Sequence, residues 1–240
     1  MRSVLVIDDE KPTLSMFSLL LEAMGYGALT ADSGTLGLEI FERERPRIVF
    51  TDIKMPDMDG LVVLARIKAM DPSAEVIVVT GHGDVELALN SLNLDAADFI
   101  DKPISQPALA GALSRADERI NRREKAQPAS VLREAEGVRV LDIAGNLSTG
   151  LDDVAQELAA TMHGGPLLVT VSECASINGA GIAGLTRIIQ EQDARGGKTA
   201  LACKPQNFRR VFEAAGLTAL ASLHTAEEDG LRELLKLKSV

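Results

Sequence analysis

The sequence predicts an α/β protein of two domains: a doubly wound five-stranded parallel sheet, then a smaller mixed-sheet α/β domain. Three observations predict it. Short apolar runs alternate with stretches of helical spacing through the first half of the chain. Runs such as Val4-Leu5-Val6-Ile7 are continuous, as in strands buried on both faces. After residue 123 the order changes, because a hairpin pattern comes first.

In the first half, residues 4–7 form the first strand. Residues 13–24 carry helical spacing that stops at Gly25. Residues 28–30 are a short strand, 36–43 a helix ended before Pro46, and 47–50 a third strand. Residues 61–70 are a helix ended at Asp71-Pro72, and 76–79 a fourth strand. A helix over 85–92, a strand over 97–100 and a longer helix over 108–123 complete the alternation. Such crossovers place helices on both faces, with the working site beyond the carboxyl ends of the strands.

Residues 124–129, Glu-Lys-Ala-Gln-Pro-Ala, read as a linker, dividing the chain into domains at 1–123 and 130–240. Residues 131–134 and 138–143 flank Glu136-Gly137, a hairpin signal. A helix over 151–162 ends at Gly164-Gly165-Pro166, and 167–171 is a buried strand. A helix over 182–192 precedes Gly196-Gly197, and 199–203 is a strand. A helix over 208–215 stops at Gly216, 220–223 is a short strand, and 231–237 an amphipathic helix.

Composition excludes some functions. The net charge is −10, and residues 124–240 hold 12 basic against 15 acidic residues, so neither half offers a nucleic-acid footprint. Aromatics at 3%, with no Trp, weaken any base-stacking role. Cys174 and Cys203 lack metal-like spacing and read as reduced thiols. The first apolar run stops at Asp8, too short for a signal peptide, and no run spans a membrane. A cytoplasmic protein with neither nucleic-acid nor membrane partners is expected.

The chemistry lies at the strand ends. Asp8 and Asp9 follow the first strand, Asp52 the third, Thr80 the fourth and Lys102 the fifth. Clustered carboxylates repel, and a hard divalent cation such as Mg²⁺ removes that cost. Lys102 supplies a fixed positive charge and Thr80 a hydroxyl donor, which together suit phosphoryl transfer to a carboxylate. A lone Asp at a strand end is ordinarily a helix cap or solvated; five suitable residues on four strand ends are not.

These residues sit in the segments Val6-Ile7-Asp8-Asp9, Thr51-Asp52-Ile53-Lys54-Met55-Pro56-Asp57-Met58-Asp59-Gly60, Val78-Val79-Thr80-Gly81-His82-Gly83 and Asp98-Phe99-Ile100-Asp101-Lys102-Pro103. Residues 2–120 thereby resemble the receiver domain of bacterial two-component response regulators, with its CheY-like, flavodoxin-like fold. The resemblance implies that Asp52 accepts a phosphoryl group from a sensor histidine kinase. It implies Mg²⁺ held by Asp9 and Asp52 directly, by Asp8 through water, and by the backbone carbonyl of Lys54. Lys102 and Thr80 would contact the phosphoryl group, Gly81 would leave room for it, and Phe99 would swing inward as Thr80 moves. His82 reads as a loop residue. The stripe Leu109, Leu113, Ala116 and Ile120 has two readings, packing on the sheet or a homodimer face.

In the second half, Gly179-Ala180-Gly181-Ile182-Ala183-Gly184 fits a dinucleotide fingerprint. Its context argues otherwise, since Ser172 to Asn178 separate it from the strand and no ribose-binding acid follows Cys203-Lys204. The order of Gly145-Asn146-Leu147, the loop Asn178-Gly179-Ala180-Gly181-Ile182, and the helix over 208–215 leading to Leu217 resembles a STAS domain, the fold of anti-sigma-factor antagonists. That family phosphorylates a serine where this chain has Gly179, so serine control is chemically absent here. The resemblance implies output through a protein partner, an anti-sigma factor or similar, switched from Asp52. The chain is expected not to be an enzyme beyond slow self-phosphorylation and autodephosphorylation: Glu10 and Lys54 stand where an aspartyl phosphatase pattern needs other residues. A nucleotide-sensing or scaffold module is the alternative output.

Overall fold

A computed structural model describes residues 2–81, 90–92, 94–125, 127–147, 151–161, 165–173 and 175–238. The chain divides into two compact units, Met1–Ile120 and Asn121–Val240. Among the described residues no helix is long and apolar enough to cross a membrane.

The first unit contains β1 (Ser3–Ile7), α1 (Lys11–Ala23), β2 (Gly27–Ala31), α2 (Gly34–Glu44), β3 (Ile48–Asp52), α3 (Gly60–Met70), β4 (Glu75–Thr80), β5 (Asp98–Asp101) and the start of α4 (Gln106–Glu124). Its strands lie in the order β2-β1-β3-β4-β5, all parallel. The order reverses between β1 and β3, so the crevice of such a sheet opens between the ends of these two strands. The helix expected over 85–92 falls largely outside the described residues.

Continuous apolar runs explain the sheet's position. Every residue of β3 and β4 is buried, which only a sheet covered on both faces permits. On one face Val4, Val6, Phe50, Ile77, Val79 and Ile100 pack against Phe17 and Leu21 of α1 and against α4. Leu109, Leu113, Ala116 and Ile120 are each at most 2% exposed in this cluster. The stripe therefore packs on its own sheet, and a homodimer would need another face. Beside it, Arg115 pairs with Asp98 and Arg119 with Glu75, both at 2.6 Å, tying α4 to the starts of β5 and β4.

The second unit contains β6 (Ser130–Ala135), β7 (Val138–Ile143), β8 (Asn146–Leu147), α5 (Asp152–Thr161), β9 (Leu167–Val171), β10 (Ser176–Ile177), α6 (Gly179–Ala194), β11 (Thr199–Cys203), α7 (Gln206–Ala214), β12 (Ser222–His224) and α8 (Glu227–Lys238). A mixed sheet runs β12-β11-β9-β7-β6, with β6 and β7 antiparallel and the other pairs parallel. Glu136 and Gly137 join the hairpin with φ of 54° and 77°, the two positive values a tight hairpin turn requires. Cores lie on both faces: Leu141, Val169, Leu201, Ile188 and Phe212 on one, and Val140, Leu168, Ala200 and Leu234 of α8 on the other.

Some boundaries differ from expectation. Helix α6 begins at Gly179 rather than 182, because Asn178 caps it. A 3-10 turn over Leu217–Ala219 delays the last strand to Ser222–His224. Helix α8 starts at Glu227 rather than 231, with Glu227, Glu228 and Asp229 in its first turn, where acidic groups suit the helix dipole. The parallel pair β8–β10 was not anticipated, since two residues per strand are too few to show a period.

Candidate functional site

Three carboxylates meet at the switch point of the first sheet. Asp8 and Asp9 follow β1, and Asp52 is the last residue of β3. One oxygen of each lies within 4.8 Å of the others. Asp8 is 2% exposed and Asp52 7%, so two of the three charges are largely out of water, while Asp9 stands nearer the solvent. Backbone amides fix two of the carboxylates: Glu10 N–H donates to Asp8 Oδ1 at 2.9 Å, and Ile53 N–H to Asp52 Oδ1 at 2.8 Å.

Lys102 comes to this cluster from the other side of the sheet. It follows β5 directly, and its N–H donates to the Thr80 carbonyl at 2.7 Å. Its Nζ stands 2.9 Å from Asp52 Oδ2, 3.0 Å from Asp8 Oδ2 and 3.7 Å from Glu10 Oε2. Burial alone would push its pKa down, but the bonds to Asp52 and Asp8 outweigh that, and the net shift is upward. For Asp8, burial raises the carboxyl pKa, and the Glu10 amide and Lys102 only partly offset it. The ammonium thus keeps its charge where the carboxylates need it.

The other expected residues take the following places. Thr80 ends β4 and is 2% exposed. Register pairs Val78 with Phe99 and Thr80 with Asp101, so Thr80 and Phe99 lie on the same face of adjacent strands. Phe99 is buried at 2% exposure. Gly81 follows Thr80 and is half-buried, while His82 and Gly83 lie outside the described residues. Lys54 is exposed, two residues beyond Asp52 in the loop before α3. That loop is closed by Gly60 N–H donating to the Ile53 carbonyl at 2.8 Å. A Cβ at Gly60 would lie 1.8 Å from the Asp52 carbonyl oxygen, so only glycine lets α3 start this close to the end of β3.

Sequence reasoning took Glu10 only as a departure from a phosphatase pattern and missed that its carboxylate reaches Lys102; the acidic triplet at residues 8–10 was the available signal. It passed over Asp57, which accepts hydrogen bonds from the first amides of α2.

In the second unit, Asn178 is buried and its side-chain oxygen accepts from Gly181 N–H at 2.9 Å, capping α6. Gly179 is half-buried and Ala180 exposed. A Cβ at Gly184 would lie 3.0 Å from Leu151 N, so that glycine serves close packing at the start of α5. The glycine-rich stretch is therefore a capped helix start. Cys203 is buried, which pushes its thiol up to about 12, the state of an inert core thiol; Cys174 lies outside the described residues.

The family model of the response regulator receiver domain matches residues 4–114. The transcriptional regulatory protein FixJ of Rhizobium meliloti (strain 1021) is 30% identical over 164 residues, 68% of this chain and 76% of FixJ. The chain belongs to the response regulators. Its receiver domain shares 37% identity over 117 residues with the C4-dicarboxylate transport transcriptional regulatory protein DctD of the same organism, 49% of this chain and 25% of DctD. It shares 34% over 113 residues with the transcriptional regulatory protein GlrR of Escherichia coli (strain K12), 47% of this chain and 26% of GlrR. This response regulator thus spans about a quarter of the length of DctD and GlrR. A solved receiver domain from Clostridium thermocellum is 37% identical, with a TM-score of 0.49, covering 53% of this chain and 100% of that domain.

Proposed function

We propose that this response regulator takes up a phosphoryl group on Asp52 and answers by changing what its second unit binds. One observation carries the reading: Lys102 Nζ bridges Asp52 and Asp8 beside a three-carboxylate cluster. Few structural roles require that arrangement, because it concentrates buried charge that an apolar core would avoid.

Magnesium fits the hard oxygens of Asp8, Asp9 and Asp52, to which the Lys54 carbonyl would add a further ligand. When bound, it neutralises carboxylate charge and stabilises the equatorial phosphoryl oxygens. The chain's own residues do the rest. An Asp52 carboxylate oxygen attacks phosphorus in the phosphohistidine of a sensor kinase. The P–N bond breaks, and its electron pair leaves on the imidazole nitrogen. Lys102 turns from the carboxylate to a phosphoryl oxygen, Thr80 donates its hydroxyl to another, and Gly81 leaves room beside them. Phe99 moves with Thr80, carrying the change to the surface of the unit. The product is a signalling state rather than a turnover product, so the chain is not a steady-turnover enzyme. The kinase and the chain meet in the cytoplasm in this account.

For the second unit, we read a STAS-like module over residues 130–240 that binds a protein, an anti-sigma factor or one of similar chemistry. Support comes from the order of Gly145-Asn146-Leu147, the loop of Asn178, Gly179, Ala180 and Gly181, and the helix after it. With glycine at 179, control passes to Asp52. The relatives' names favour a second reading, output through transcription, and the FixJ match is longer than the first unit. The excess of acidic residues over 124–240 weighs against direct nucleic-acid binding.

The test is retardation on a phosphate-affinity gel after treatment with acetyl phosphate and Mg²⁺. Wild type should shift and Asp52→Ala should not; an equal shift in both removes Asp52 from the role. Retention of an anti-sigma factor or of promoter DNA by the shifted form then separates the two outputs.

A further inference from the structure

Asp57 lies in the exposed loop between β3 and α3, yet its carboxylate is fully engaged. Oδ1 accepts from Gly34 N–H at 3.1 Å and Oδ2 from Thr35 N–H at 3.0 Å, the first two residues of α2. An anion among free amides at a helix N-terminus is doubly favoured, by charge-assisted bonds and by the helix dipole. The bonds to Thr35 hold this carboxyl below the usual carboxylate range.

The loop it belongs to is the one that carries Lys54. Its two ends are already fixed, by Ile53 N–H on the Val79 carbonyl at 3.3 Å and by Gly60 N–H on the Ile53 carbonyl at 2.8 Å. Between those anchors Met55 is buried and Asp59 Oδ1 accepts from Leu61 N–H at 2.7 Å, and a bond to a neighbouring helix fixes the course of residues 54–59 further. Asp57 provides it, and Met58 packs against Gly34 at the same helix end. Helix α2 has its own local cap as well, Ser33 Oγ accepting from Leu36 N–H at 3.3 Å. The Asp57 bonds therefore cross between elements, whereas the Ser33 bond stays inside one.

We infer that Asp57 is a positioning residue for the metal site: by clamping the 54–59 loop to α2 it presets the Lys54 carbonyl for the divalent cation. This deepens the proposed function and rests on it. Supporting groups of this kind govern metal affinity because an ordered ligand loses less freedom on binding.

The experiment is calorimetric titration of Mg²⁺ into the full chain, with no phosphodonor present, for wild type, Asp57→Ala, Asp57→Asn and Ser33→Ala. Asp57→Ala should weaken Mg²⁺ binding roughly tenfold. Asp57→Asn, which keeps one acceptor, should fall between it and wild type. Ser33→Ala removes a cap of α2 without touching the loop and should bind as wild type does. Equal affinity in wild type and Asp57→Ala overturns the inference and leaves the Asp52 reading standing. So does equal weakening by Asp57→Ala and Ser33→Ala, which would mean that any loss of α2 suffices. A wild type that binds no Mg²⁺ overturns both.

Discussion

Lys102 Nζ lies 2.9 Å from Asp52 Oδ2, although 50 residues separate them in sequence and two strands, β3 and β5, deliver them. Strand β4 stands between those strands in the sheet, so the lysine reaches across its tip. The same ammonium holds Asp8 at 3.0 Å, and it neutralises part of a charge cluster that burial makes costly.

Removing that ammonium should therefore expose the repulsion. Lys102→Met should lower stability by about 2 kcal/mol in EDTA, since the pair is buried on the carboxylate side and partly open on the lysine side. Millimolar Mg²⁺ should recover part of the loss. Urea denaturation with and without Mg²⁺ measures both; an unchanged midpoint in EDTA would show that the bridge carries no weight.

Asp8 gives a pH dependence of definite sign. Burial raises its folded pKa above the ordinary value of 3.8, so folding favours the protonated form. Its contribution to stability is full below 3.8 and is lost as pH rises through the folded pKa. At neutral pH without Mg²⁺ the charged carboxylate is then a net cost. Asp8→Asn should melt higher than wild type at pH 7 in EDTA, lose that advantage in strong acid, and gain less from Mg²⁺. A lower melting temperature at pH 7 contradicts the sign.

Gly60→Ala should be severe. Its methyl group would fall 1.8 Å from the Asp52 carbonyl oxygen, and backbone must move to admit it. A loss of about 2–4 kcal/mol is expected, with slower phosphorylation of whatever remains folded. Chemical denaturation and labelling rates are the measurements, and a wild-type midpoint would refute the close approach.

Much of this was legible in the sequence, for physical reasons. Residues 4–7 and 76–79 are continuous apolar runs, so their strands and their burial could be read directly. The site could be read because its side chains come at strand ends, where a parallel sheet gathers them. Asp57 could not. It stands 22 residues from Thr35, and only the folded sheet brings its loop to the start of α2. Arg119 reads as a surface charge on a helix, and its burial against Glu75 depends on where α4 crosses the sheet. The start of α6 was displaced because glycines at 179 and 181 lower helix propensity, whereas the Asn178 cap compensates.

That cap yields a local prediction. Asn178→Ala should cost about 1 kcal/mol and speed hydrogen exchange at the Gly181 amide, its acceptor being gone. Asn178→Asp keeps the acceptor and should stay near wild type. Exchange at Gly181 as slow in the alanine variant as in wild type would mean that the cap is redundant.

Borohydride reduction followed by peptide mapping bears most directly on the phosphoacceptor, because it converts an acyl phosphate of aspartate to homoserine at the modified position. After acetyl phosphate and Mg²⁺, homoserine should appear at position 52 in wild type, disappear when EDTA replaces Mg²⁺, and be absent from Lys102→Met or much reduced. Homoserine at another carboxylate, or at none, would contradict the account.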